Sequence, residues 1–280
     1  MSKLKLSELI NTGFTLLFAL VLVFNFNSIE NSSLLLAGYI LLLIVQAIFI
    51  KVHPQSKAVE YLKDIALPVV SVLFIFDSMT YIVHGVNPRD IDPLLIMADY
   101  RLFGVYPTVW LERFINPVLT EILQLCYSTY YFLPVILGIS LKIKKEERGF
   151  EEGLSLIILC FYLSYVGYIL FPALGPRYTM AHLQHTELKG VFTFKWIYHT
   201  LNSLEGIKRD AFPSGHTGIT LTVLYVAFKY DKRLFLIYLP IALLLIFATV
   251  YCRYHYVVDV IAGVGLFFVT LLLYRLGCRV

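Results

Sequence analysis

Apolar residues in this chain gather in long runs, and along most of those runs no polar face recurs at helical spacing. Phe14 to Phe26 and Leu234 to Tyr251 are apolar all round apart from an occasional Thr or Asn. Such segments need lipid or other helices on every side. Eight spans fit the pattern, at about Leu9 to Phe26, Ser33 to Ile50, Ile65 to Val83, Ile115 to Leu141, Leu154 to Phe171, Thr217 to Phe228, Leu234 to Tyr251 and Val257 to Tyr274. A hydrocarbon core about 30 Å thick takes about 20 residues. The sixth span is shorter than that, so it must begin within the protein or the interface. The fold expected is an all-α, polytopic membrane helix bundle.

Composition agrees, with 280 residues of which 59% are hydrophobic and only 15% charged. The net charge of +4 brings no block of interleaved basic and aromatic residues outside the spans, so nucleic acid is not expected as a partner. Cys126, Cys160, Cys252 and Cys278 lie in or at the ends of apolar runs without metal-ligand spacing, and are expected as small buried hydrophobes. Lys3 and Lys5 precede the first run as in a signal peptide. No small-residue cleavage site follows, and Asn25, Asn27 and Glu30 lead into another span, so a retained helix is expected.

With eight spans both termini share a side. That side holds 14 of the 23 Lys and Arg, in short connections such as Lys142 to Arg148 and Lys229 to Arg233. By the positive-inside rule the termini are expected to be cytoplasmic. The opposite side carries two long loops, His84 to Phe114 and Pro172 to Gly215. Within the first, Asp92 to Gly104 mixes apolar and charged residues and is expected either as a short helix on the membrane surface or as a plain loop. Asp77 and Glu121 are costly in lipid and should face the bundle or a pocket.

Three islands fall on this non-terminal side: Phe171 to Tyr178, Asp210 to Thr217, and Arg253 to Asp259. In the third, His255 and Asp259 are four residues apart, a spacing that stacks both side chains on one helix face. A carboxylate accepting from one ring nitrogen would leave the other nitrogen's lone pair outward as a nucleophile. Many helices carry such a pair for structural reasons alone. In the second island Pro213-Ser214-Gly215-His216 opens a helix, where free amides and the helix dipole favour an anion. Gly215 permits close approach, Ser214 offers a hydroxyl, and His216 would face a bound phosphate; the alternative is an ordinary Ser N-cap with a nearby His. Arg177 and Arg253 are forked, permanent cations at the edge of such a pocket, suited to phosphate or to snorkelling toward lipid headgroups.

These residues resemble the type 2 phosphatidic acid phosphatase superfamily. The Pro-Ser-Gly-His run matches it, as do His255 and Asp259. The usual third motif has a Ser-Arg pair where this chain has Ala248 and Thr249, leaving Arg253 as the nearby substitute. The usual first motif has a Lys where Leu170 stands, and Tyr178 follows Arg177 in place of Pro. The shortened pattern His255-Tyr256-Val257-Val258-Asp259-Val260, and Asp210 six residues before His216, look more like the inositol phosphorylceramide synthase and sphingomyelin synthase branch. The likeness runs from about Asp92 to Gly263.

The resemblance implies two additional N-terminal spans over residues 1–60 and a six-helix core over 61–280. It implies metal-independent chemistry, with no cofactor, in which His255 attacks phosphorus and His216 acts as acid and base, with Asp259 supporting His255. Arg177, Arg253, Ser214 and Gly215 would bind the phosphate, and Asp210 and Glu121 would stand in the pocket. The implied partners are a lipid phosphate or phospholipid, a lipid alcohol or water as acceptor, and the membrane. Headgroup transfer and simple hydrolysis, for instance of phosphatidic acid or an isoprenoid diphosphate, use the same residues and both stay open. A membrane transporter is the alternative of another class, and it would need ionisable residues near the midplane rather than at helix ends.

Overall fold

The computed structural model describes residues 4–204 and 206–278, and among these the regular structure is entirely helical. Helices α1 (Leu6–Phe24) and α2 (Ser32–Lys51) pack as a pair. α3 (Lys57–Tyr61) continues through a single π turn at Leu62–Ala66 into α4 (Leu67–Val86). On the side away from the termini lie α5 (Asp92–Phe103) and α6 (Pro107–Trp110). The chain returns through α7 (Pro117–Ser128) and α8 (Leu133–Ile143), then crosses again in α9 (Glu147–Leu170). Short helices α10 (Pro176–Thr179) and α11 (Phe194–Leu204) interrupt the second long loop before α12 (Gly215–Tyr230), α13 (Lys232–Tyr251) and α14 (Val257–Gly277).

Six helices are long and apolar enough to cross a membrane: Leu6–Phe24, Ser32–Lys51, Lys57–Val86, Glu147–Leu170, Lys232–Tyr251 and Val257–Gly277. Their length and composition fit an integral membrane protein. The expected eight spans are corrected in two places. The fourth is not one helix: α7 and α8 meet at a 53° bend and make a seventh span only if taken together. The break falls at Thr129–Phe132, just ahead of Pro134, whose ring nitrogen has no hydrogen to bond back to the preceding turn.

The sixth expected span, α12, has 16 residues, about 24 Å at the α-helical rise. A helix that short avoids exposing its ends to lipid because the bundle encloses it. Gly215 to Thr220 are all buried, as are Thr222, Val223, Leu224, Val226 and Ala227, and α12 packs on α9, α13 and α14. Close approach of α14 requires Gly218, where an added Cβ would lie 2.9 Å from Leu266 Cδ2 and 3.1 Å from the Gly263 carbonyl oxygen.

Polar residues on α1 and α2 find partners inside the bundle, as the bilayer demands. Gln46 Nε2 donates to Thr15 Oγ1 at 3.0 Å and to Ser71 Oγ at 3.1 Å, Asn11 Nδ2 donates to Ser71 Oγ at 3.2 Å, and Tyr162 Oη donates to Asn11 Oδ1. This ladder ties the first two helices to α4 and α9. Asp77 departs from expectation, because it is exposed on α4 rather than turned into the bundle. Its carboxylate lies beside Gly206 of the outer loop.

At the end of the bundle that bears the termini, Lys142 Nζ donates to Asp64 at 2.7 Å, Glu60 at 2.8 Å and Glu147 at 3.0 Å, with its side chain only 4% exposed. Lys5 reaches the same Asp64 at 3.3 Å. Breaking a buried ion cluster by removing one partner leaves the remaining charges uncompensated. Lys142→Ala is therefore expected to cost roughly 3–5 kcal/mol, seen as a lowered thermal unfolding midpoint in detergent; an unchanged midpoint would show that the cluster ties nothing together.

Candidate active site

The three islands do converge, and backbone hydrogen bonds stitch them. Arg177 N donates to the Arg253 carbonyl at 2.9 Å, Ala211 N to the Ala173 carbonyl at 3.1 Å, and Ser214 N to the Asp259 carbonyl at 3.0 Å. The first island turns at Gly175, whose φ of 87° is open to glycine and strained for other residues. An added Cβ there would also sit 2.5 Å from the Tyr254 carbonyl oxygen. Pro176 then starts α10 and carries Arg177 to the site.

Two carboxylates on α5 hold this assembly. Asp92 accepts from the amides of Leu174 and Gly175, both at 2.9 Å, and from Tyr256 Oη at 2.8 Å. Asp99 accepts from Val257 N at 3.0 Å and Val258 N at 2.9 Å, the free amides at the start of α14. Asp92 to Gly104 is thus a helix rather than a plain loop, with its acids inward and Leu94, Met97, Tyr100, Leu102 and Phe103 exposed. Sequence reasoning assigned neither acid a role. The available signal was their seven-residue spacing, two helical turns, which puts both on one face.

His255 and His216 face each other, with His255 Nε2 and His216 Nδ1 3.3 Å apart, and they are 3% and 8% exposed. His255 Nδ1 lies 2.7 Å from the Ala211 carbonyl oxygen. That carbonyl can only accept, so Nδ1 carries the hydrogen and Nε2 keeps the lone pair. The expected orienting role of Asp259 is corrected: its Oδ2 is 3.5 Å from Nδ1 and accepts instead from Tyr256 N at 2.8 Å. The i,i+4 rule does not apply here, because His255 precedes the first helical residue, Val257. Asp259 Oδ1 and His216 Nε2 are buried with no hydrogen-bond partner. The His216 ring is held between Tyr127, stacked at 4.6 Å, and Tyr130 at 4.2 Å, both brought in at the α7–α8 bend.

Burial pushes the His255 imidazole down to about 4, and the positive charge of Arg177 acts in the same direction; the Asp210 carboxylate and the Ala211 carbonyl oppose them. Arg177 lies 4.8 Å from the Tyr178 ring and 4.9 Å from the Tyr254 ring, so its charge stands at the edge of the histidine pair. Asp210 is close enough for its charge to be felt at His255. Arg253, at φ 66°, sends its guanidinium elsewhere, to Glu112 Oε1 at 2.8 Å and the Thr186 carbonyl at 2.5 Å. Glu112 also accepts from the amides of His185 and Thr186, and sequence reasoning gave it no role.

Ser214 is the N-cap of α12, accepting from Thr217 N at 3.3 Å, and the Gly215 amide meets the Tyr168 hydroxyl. Glu121 is not a lining residue of the histidine site. Its carboxylate accepts from the amides of Val191, Phe192, Thr193 and Phe194 and from the Thr193 hydroxyl, and so anchors the loop that leads into α11. Among the described residues no group of His, Cys, Asp and Glu side chains is arranged to hold a metal ion.

The family described as the PAP2 superfamily matches residues 95–273. The chain is also similar to a PA-phosphatase related-family protein of Dictyostelium discoideum, 24% identical over 172 residues, a match covering 54% of this chain and 31% of that protein. The chain thus corresponds to about a third of that relative's length. No solved structure gives a significant match.

The depressed His255 value has a definite sign. Between about 4 and the ordinary 6.5, the unfolded chain binds a proton at this position and the folded chain does not, so its contribution to stability falls as pH drops through that window. Titration of isotope-labelled histidines by NMR should find one imidazole neutral down to about pH 4 that disappears in His255→Gln. In Arg177→Gln that titration should move to higher pH.

Proposed function

Since the chain belongs to the PAP2 superfamily, we propose that it is a membrane-embedded enzyme that transfers a phosphoryl-bearing headgroup from a lipid through a phosphohistidine on His255. The observation that carries this reading is the histidine pair itself. One ring is pinned by the Ala211 carbonyl with its Nε2 lone pair presented 3.3 Å from the second ring. In the first step that lone pair forms a bond to phosphorus while the bond to the lipid alcohol oxygen breaks, and His216 supplies the proton that the departing oxygen takes. In the second, an acceptor hydroxyl gives its proton to His216 and its oxygen to phosphorus, and the N–P bond breaks.

Arg177 and the α12 N-terminus at Ser214–Gly215 face the charge on the non-transferring phosphate oxygens, the usual protein contribution to phosphoryl transfer. Arg253, taken by Glu112, serves by position: its carbonyl holds the Arg177 amide. Asp210 and Asp259 set the electrostatics of the pair, Asp259 as a buried neighbour rather than as the ring's hydrogen-bond partner. Residues 61–280 form the catalytic core and residues 1–60 an addition to it. The termini are cytoplasmic and the site opens on the other face.

Transfer to a lipid alcohol is favoured over hydrolysis by the depth of the pair, since His255 is 3% exposed and a shielded phosphohistidine meets water rarely. Purified protein incubated with headgroup-labelled lipid and a lipid alcohol should exchange the label and release little free phosphate, with chelators without effect. His255→Ala should abolish both exchange and an acid-labile phosphoprotein, and His216→Ala should lower the rate by roughly 10²–10⁴-fold. Exchange that survives His255→Ala would end this mechanism.

A further inference from the structure

A single apolar groove runs down the bundle from the histidine pair. His216 and Asp210 stand at its upper end with Tyr130 and Tyr168, and Asp64, Leu141 and Phe150 stand at its lower end. Its walls are α4, α8 and α9, and it holds about 1060 Å³ of space open to its surroundings. On α9 alone it extends from Phe150 to Tyr168, about 27 Å at the α-helical rise. One leaflet of a hydrocarbon core about 30 Å thick is about 15 Å deep. The groove therefore continues well past the midplane, and it stops where apolar lining gives way to the buried cluster of Asp64, Lys142, Glu60 and Glu147.

We propose that this groove is the seat of the substrate's hydrocarbon chain, and that the chain it is built for reaches beyond one leaflet to the Asp64–Lys142 floor. The inference rests on the phosphotransfer reading only for what happens at the upper end. Three observations support a chain as occupant. The groove is continuous with His216, so a headgroup placed at the histidines directs its chain into it. Its lining between the ends is apolar, and the ion-paired floor is closed to hydrocarbon because entry would strip charges of their partners. The ligand class is a lipid phosphate with one long chain, saturated or isoprenoid, that crosses the midplane.

Gly138 makes the lower half passable. It lies on α8 five residues beyond Leu133, and an added Cβ meets only the Phe150 ring, at 3.6 Å. A small substitution there is therefore tolerated, whereas a leucine fills the path. The test compares lipid phosphates of one headgroup and graded chain length, in saturated and isoprenoid series, against wild type and Gly138→Leu reconstituted in nanodiscs. The ratio of long-chain to short-chain kcat/KM should fall at least tenfold in Gly138→Leu, and an unchanged ratio in the folded variant would overturn the proposal. A preference for one series identifies the chain.

A second measurement does not need turnover or the variant. A long-chain lipid phosphate with a photoreactive group at its chain end should label wild-type peptides around Leu141 and Phe150, and a chain of leaflet length should label higher, near Tyr130 and Phe161. Labelling at the floor without any turnover would leave the groove standing and remove the catalytic reading. Turnover without floor labelling by the long chain would remove the groove.

Discussion

Asp92 and Asp99, two turns apart on α5, hold together what the spans alone would leave separate. At the mouth of the bundle the chain makes two tight departures from helix, at Leu174–Gly175 and at the start of α14. Each leaves backbone amides with no helical partner. Asp92 takes the first pair and the Tyr256 hydroxyl, and Asp99 takes the second. Arg177 follows directly from the first turn and His255 directly precedes the second. The position of the cation relative to the nucleophile is therefore set by a surface helix that touches neither reacting atom.

The same requirement for satisfied polar groups shapes the rest of the site. Where irregular backbone dips toward lipid it must bond to itself or to buried side chains. The Arg177–Arg253, Ala211–Ala173 and Ser214–Asp259 bonds do this, and the Ala211 carbonyl completes the set by accepting from His255. A short α12 becomes possible because four neighbours surround it, which brings His216 below the ends of the longer helices. The broken α7–α8 passage brings Tyr127 and Tyr130 against the His216 ring. It also opens one wall of the groove beneath it.

Where the local sequence pattern assigned a partner, a residue from elsewhere in the chain sometimes outcompeted it. Asp259 was the near neighbour of His255, yet the strand-like residues before α14 turn the ring toward Ala211, 44 positions away, and the carboxylate caps Tyr256 N. Arg253 was the cation nearest the third island, yet its left-handed backbone points it at Glu112. Glu121 looked like a pocket acid because lipid is hostile to carboxylates, and four amides of a distant loop answer that same cost. In each case the chemistry inferred for the residue type was sound, and the partner was decided by a contact more than forty positions off.

The chain's own order of residues determined that it is an all-helical membrane protein and that three polar islands lie on one side of it. It also made His216 and His255 the pair to watch. Those properties follow from runs of apolar residues long enough for a bilayer and from side chains confined to the ends of such runs, both local in the sequence. Tertiary structure alone decided that a span breaks at Phe132 and that Asp92 and Asp99 are the anchors. It alone decided that a backbone carbonyl, not Asp259, orients His255, and that the groove below His216 passes the midplane. Each of these depends on which distant amide, ring or carboxylate reaches a given group first, and in a close-packed interior that is settled by geometry between helices, which no spacing along one helix contains.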